Sequence, residues 1–222
     1  MNVLLLTAAI ASALAAAPKE TNRTDLLLFE LHSFTESVQI NRGSEEKEDL
    51  PRLNFSGHAY VVVQNQMNYS FYVGDYYLAP GEKISIGLWG QGPSGSSSGN
   101  INHSGVFYNL ERYRFGVYEN PQNDVHLTCT VDSNELGTIN SKIYQKRDYY
   151  NLLSYNCSSF ACELWNIASG ESLSAGWINT PDYLRYNMMN YSSYTYSTIF
   201  NIGNSSTFCY YDTANSQMVV IY

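Results

Sequence analysis

The sequence predicts an α+β protein in which an antiparallel sheet packs against a helix that carries a cysteine. Three observations lead there. Segments with strand composition fill the chain from Leu26 to Val131. Helical spacing then takes over, within 133–149 and again after Cys157. Strands therefore fill the first part of the chain and helices follow, and the antiparallel packing of the one on the other is what the resemblance carried by the motifs around His58 and Cys157 implies. At 222 residues the chain can bury one substantial core.

Composition narrows the class of partner. The net charge is −8, which argues against nucleic acid or an anionic membrane as the main partner. Tyrosine is abundant and charged residues are few, as expected of a β-rich exported protein. Residues 1–17, MNVLLLTAAIASALAAA, form an apolar run ending in small residues, so a secretory signal peptide is expected, although no Lys or Arg precedes the run. The run is too short for a comfortable membrane span. The mature chain, 18–222, is expected to be a single extracellular domain with a Tyr- and Asn-rich C-terminal segment and no stable membrane insertion. Oligomeric state is left open.

Taken in order, Leu26–Phe34 is the first strand and Arg42–Asp49 a charged loop. Phe55–Val63 and Tyr69–Val73 read as a hairpin turning at Asn65–Asn68. Lys83–Trp89 is a further strand, and Gly90–Asn100 a low-complexity loop. Val106–Leu110, Arg114–Tyr118 and His126–Val131 continue the β pattern. A helix opens near Ser133 and runs to about Tyr149, with Leu136, Ile139, Ile143 and Tyr144 on one face. Pro181–Met189 reads as a short helix with Pro in its first turn, and Met218–Tyr222 as a closing strand.

The most informative stretch is Tyr150–Gly170. Asn156, Ser158 and Ser159 can cap a helix whose apolar residues Phe160, Ala161, Leu164, Trp165, Ile167 and Ala168 recur at helical spacing until Gly170. Cys157 then stands at a helix N-terminus, where unpaired N–H groups and the positive end of the dipole favour a thiolate. The simpler reading is a buried or disulfide-bonded cysteine. Cys129, Cys157, Cys162 and Cys209 allow three pairings, of which Cys129–Cys209 leaves Cys157 free. Cys162 has the spacing of a packed core residue. The cysteines contain no CxxC and have no nearby His pair, so no zinc motif, metal or cofactor is expected.

A thiol nucleophile needs a base. His32 and His126 lie in apolar strands and read as structural, and His103 as a solvated loop residue. His58 differs, because Gly57 precedes it and an apolar strand follows, so a substrate or another backbone can come close.

Gly57-His58-Ala59 at a strand start, further strands, and then Asn156-Cys157-Ser158-Ser159-Phe160-Ala161 at a helix start resemble the circularly permuted papain-like, NlpC-type cysteine hydrolases. Ser56–Ala59, Ile84–Gly90, Gly105–Glu111 and Asn179–Pro181 are similar to a group of secreted bacterial proteins in that superfamily, over roughly 55–190. The resemblance implies a permuted papain-like domain, an antiparallel half-barrel against the Cys157 helix, with Cys157 as nucleophile and His58 as general base. The third member varies in that superfamily and commonly comes from the next strand. The hairpin expected at Asn65–Asn68 would set Asp75 opposite His58, making Asp75 the candidate to orient the ring. Glu111 is a second polar candidate, more simply a hydrogen bond in the site wall. Asn156 is placed with it around the oxyanion, where the Cys157 N–H is the first donor.

The implied function is a secreted peptidase or amidase acting through a thioester acyl-enzyme on peptides, proteins or peptidoglycan. A catalytically inactive secreted binding module on the same scaffold is the alternative, and a lipid acyltransferase a third reading. Trp89, Phe107, Tyr108 and Trp165 are candidates to line a groove.

Overall fold

Eight strands hydrogen-bond in the order β10-β9-β6-β5-β2-β1-β7-β8, and every adjacent pair is antiparallel. The strands are β1 (Leu27–Phe34), β2 (His58–Asn65), β5 (Lys83–Trp89), β6 (Gly105–Tyr108), β7 (Asp124–Val131), β8 (Thr195–Ser197), β9 (Phe208–Asp212) and β10 (Gln217–Ile221). A separate hairpin pairs β3 (Phe71–Val73) with β4 (Tyr76–Leu78). The helices are α1 (Leu110–Val117), α2 (Ser133–Gln145), α3 (Cys157–Ser169) and α4 (Pro181–Met189). This computed structural model describes residues 24–34, 57–90, 103–117, 124–176, 179–191, 195–197 and 202–222. The expected signal peptide (1–17), the charged loop at 42–49 and most of the Gly/Ser loop (91–100) lie outside those residues.

The architecture is α+β, with β2 near the middle of the sheet and covered on both faces. Ala59, Val61 and Val63 point into the main core, with Phe160, Ala161, Leu164 and Trp165 of α3 and Leu136, Ile139 and Ile143 of α2. Tyr60 and Val62 point the other way, packing with Phe34 and Ile202. On that second face Leu110 of α1 joins Phe107 and Phe208. A strand buried on both sides reads as a continuous apolar run, which is why Ala59–Val63 lacks polar alternation.

Three expectations are corrected. Arg114–Tyr118 is not a strand: residues through Val117 continue α1, which begins after Asn109 adopts a left-handed φ of 63°. Residue 118 lies outside the described residues. The expected hairpin at Asn65–Asn68 is also absent, since β2 pairs with β1 and β5 and the Tyr69–Val73 segment turns back at Gly74–Asp75 to pair with β4. The Asn65 side chain instead holds this stretch, bonding Tyr69 O and Leu78 O. Finally, Cys129 on β7 and Cys209 on β9 have four strands between theirs, about 24 Å at 4.8 Å per step. No bridge can span that distance.

Candidate active site

The local sequence dictates how α3 begins. Asn156 is extended, and its Oδ1 accepts from the N–H groups of Ser158 (3.0 Å) and Ser159 (3.3 Å), while Ser159 Oγ accepts from the Asn156 N–H. This reciprocal capping box fixes the first turn. The Asn156 amide group donates to Leu152 O (2.9 Å) and Asn179 O (2.6 Å), tying the loop before α3 and the loop before α4 to the helix start. Both its donors are spent, so Asn156 belongs to the wall of the site and is not an oxyanion donor. The Cys157 N–H is used by neither cap bond. Gly170, at φ 70°, closes the helix.

His58 is the first residue of β2. Gly57 before it has a φ of 111°, a region closed to most L-residues, so the chain can enter the strand there only through glycine. Both Cys157 and His58 are buried, at 7% and 6% exposure, and they line one cleft, close enough to perturb each other's ionisation. Burial disfavours the charged form of each. The interaction outweighs it: Cys157 and, less strongly, Glu111 push His58 up to about 9, and the His58 charge holds the Cys157 thiol below its ordinary value. Each charge thus favours the other, which biases the pair towards a thiolate facing an imidazolium.

Glu111, in the first turn of α1, reaches this ring from the second face of the sheet. Its side chain is fully buried, and Oε1 lies 3.0 Å from His58 Nε2. Trp89 Nε1 donates to the same oxygen at 2.7 Å, and Ser85 Oγ donates to Oε2 at 2.7 Å. A buried carboxylate needs such partners. Glu111 crosses the sheet over Gly87, where a Cβ would stand 1.8 Å from Oε1 and 3.0 Å from His58 Nε2. Asn109 sets the start of α1: its N–H donates to Ser85 O (2.8 Å) and its Oδ1 accepts from Ser85 N (3.2 Å). With Nε2 engaged by Glu111, Nδ1 is the ring nitrogen left for the thiol.

Asp75 does not join this group. It lies in the β3–β4 turn and pairs with both Nε (2.8 Å) and Nη2 of Arg147, while its N–H donates to Tyr108 OH at 2.8 Å. The expectation that it faces His58 fails because β3 pairs with β4 and not with β2. The signal for Glu111 was present in Gly87 and in the Tyr-Asn-Leu-Glu turn, but only a fold that puts α1 across β5 connects them.

Gly57, Leu88, Trp89, Tyr150, Leu152 and Pro181 wall a cleft of about 150 Å³ that contains His58 and Cys157. Of the aromatic residues expected to line a groove, Trp89 does so, tilted over His58 with ring centroids 4.1 Å apart. Phe107, Tyr108 and Trp165 are buried in the core. Cys162 is buried beneath, donating to Leu173 O at 3.1 Å, and burial pushes its thiol up to about 11. His103 is not a solvated loop residue: it stacks on Tyr210 at 4.2 Å and meets Phe107 edge-on at 5.0 Å.

Among the described residues, no helix is long and apolar enough to cross a membrane. No protein-family model matches the sequence. No curated protein matches it. Among solved structures, the crystal structure of a type VI secretion system effector, TseH, aligns with 89% of this chain and 98% of its own, at 12% sequence identity and a TM-score of 0.42.

Proposed function

We propose that this protein is an exported cysteine hydrolase, a peptidase or amidase, on a circularly permuted papain-like scaffold. The observation that carries the proposal is the buried Cys157–His58 pair at the floor of a cleft, with Glu111 on the far side of the ring. Cys157 is the nucleophile, His58 the general acid and base, and Glu111 the positioning residue. Substrates are peptides, proteins or the peptide part of peptidoglycan. The cleft is smaller than the roughly 300 Å³ of an ordinary small-ligand pocket, which suits one short segment of a longer polymer.

The Cys157 thiolate attacks the scissile carbonyl carbon, forming the S–C bond and moving an electron pair to the carbonyl oxygen. The N–H of Cys157, at the positive end of α3, is positioned to donate to that oxyanion. Collapse breaks the C–N bond as the His58 imidazolium gives its proton to the leaving amine, leaving a thioester. Water then attacks the thioester, with neutral His58 taking its proton, and the acid leaves as the thiolate and imidazolium are restored. Glu111 keeps Nε2 protonated throughout, so Nδ1 is the atom that exchanges the proton.

The test is alkylation with iodoacetamide, followed by mass spectrometry, beside a screen of generic peptides and peptidoglycan fragments. Wild-type protein should label first at Cys157 near neutral pH, with His58→Ala much slower. Equal rates in wild type and His58→Ala would remove the pair. Rapid labelling without turnover of any peptide or cell-wall fragment would favour a binding module on this scaffold.

A further inference from the structure

We propose that His32, Asp124 and His126 form a binding site for a divalent transition-metal ion of the zinc class. The site is independent of the thiol chemistry above. In the register of β1 with β7, His32 stands directly opposite His126. Asp124, two residues before His126, presents its carboxylate on the same face. Its Oδ2 lies 2.9 Å from His32 Nδ1, a hydrogen bond that the ion would replace as Nδ1 gives up its proton, and 3.9 Å from His126 Nδ1. One donor atom from each of the three residues lies within 4.8 Å of the other two. Zinc bonds of about 2.05 Å at tetrahedral angles put neighbouring donors about 3.3 Å apart, between those two separations.

Two features point to a missing partner. Asp124 Oδ1 and His126 Nδ1 are both buried, and neither has a hydrogen-bond partner among the described residues. Buried polar atoms are rarely left so, and an ion taking both oxygens of Asp124 together with His126 Nδ1 would satisfy both. The outer shell is also in place: Glu30 Oε2 sits 3.0 Å from His32 Nε2 and Lys83 Nζ 3.2 Å from Glu30 Oε1. A carboxylate on the second ring nitrogen is the arrangement that aims a metal-binding imidazole. Two imidazoles and one carboxylate suit zinc, cobalt(II) or nickel over calcium or magnesium, and three protein ligands leave a position for water. The His126 ring lies 5.2 Å from that of His32 at 26°, and its side chain is a quarter exposed, so it can turn towards the ion. No cysteine takes part; Cys129 on β7 packs on the opposite face of the sheet.

The spacing of these residues hides them in the sequence, because the ligands come from strands 92 residues apart.

The experiment uses the whole chain, stripped with chelator and titrated with Zn²⁺ and with Co²⁺. One ion per chain should remain after gel filtration, Tm should rise, and the cobalt protein should show visible d–d bands without a thiolate charge-transfer band. Cys157→Ser should bind equally well. His126→Ala should lose at least about tenfold in affinity, and Glu30→Gln about tenfold to a hundredfold. Binding below one equivalent, a thiolate band, or unchanged affinity in His126→Ala would each overturn the site. If His126→Ala does not fold, the wild-type cobalt spectrum and Glu30→Gln still decide.

Discussion

Glu111 Oε1 lies 3.0 Å from His58 Nε2 although the two residues approach from different elements, one on α1 and one on β2. The ring thus lies between the Glu111 carboxylate and the Cys157 sulfur. Each favours the imidazolium, and together they overcome a burial that opposes it. The proton on His58 is a product of its two neighbours.

The pH dependence follows with a definite sign. His58 is raised from 6.5 to about 9, so its proton is fully held below 6.5 and is lost as pH rises through about 9. Cys157 is lowered, so the thiolate persists below the ordinary thiol range and is lost only on further acidification. Turnover should therefore be bell-shaped, with its upper limb near 9. Glu111→Gln keeps the shape of the side chain but removes its charge. Its upper limb should fall by at least about one unit, and each unit cuts the imidazolium tenfold above the new midpoint. The measurement is kcat/KM against pH for both proteins. An unmoved upper limb would mean that Glu111 is only packing.

Gly87 tests the same relationship through sterics. A Cβ there would meet Glu111 Oε1 at 1.8 Å, so Gly87→Ala must push the carboxylate away from His58. Activity should drop about as far as in Glu111→Ala. The double variant should be no worse than Glu111→Ala alone, because both changes remove one interaction. Additive losses in kcat/KM would separate the two residues.

The parts that could be read from the sequence are those set by short-range signals. The cap at Asn156, the apolar face of α3 and its stop at Gly170 all lie within a few residues of one another, as do Pro181 and α4. What could not be read depends on pairing at a distance. Arg114–Tyr118 has strand-like composition, yet the left-handed turn at Asn109 opens a helix that takes in its residues through Val117. The Asn65–Asn68 turn suggested that β2 and β3 were partners, but β2 is claimed on both edges by β1 and β5. That choice removed Asp75 from the site. Glu111 took its place against His58 through a gap that only Gly87 leaves open.

Asp75 should now behave as a structural residue. Asp75→Ala leaves Arg147 without its paired acceptor and takes away the carboxylate oxygen that Tyr108 OH donates to, while the backbone N–H to Tyr108 OH remains. Loss of a partly buried, charge-assisted pair should cost about 1–3 kcal/mol in denaturant unfolding. The alkylation rate of Cys157 should not change. A slower thiol in a variant of wild-type stability would return Asp75 to the site.

Asn156 separates capping from electrostatics. Asn156→Ala removes the acceptor for Ser158 and Ser159, and an N-cap of this kind contributes about 1 kcal/mol. It also frees the carbonyls of Leu152 and Asn179, so the loops that frame the cleft should loosen and hydrogen exchange there should rise. Asn156→Asp keeps the cap but gives up both amide donors and sets a negative charge one residue from the thiolate. Like charges oppose ionisation, so the Cys157 pKa should rise and its alkylation profile should move to higher pH. The two variants therefore differ in kind: Ala lowers stability with a small change in the profile, while Asp moves the profile most. Measuring unfolding and the pH–rate curve on both would show whether Asn156 only holds the helix start or also protects the charge beside it. Identical profiles for Asp and wild type would mean that the thiolate is governed by His58 alone.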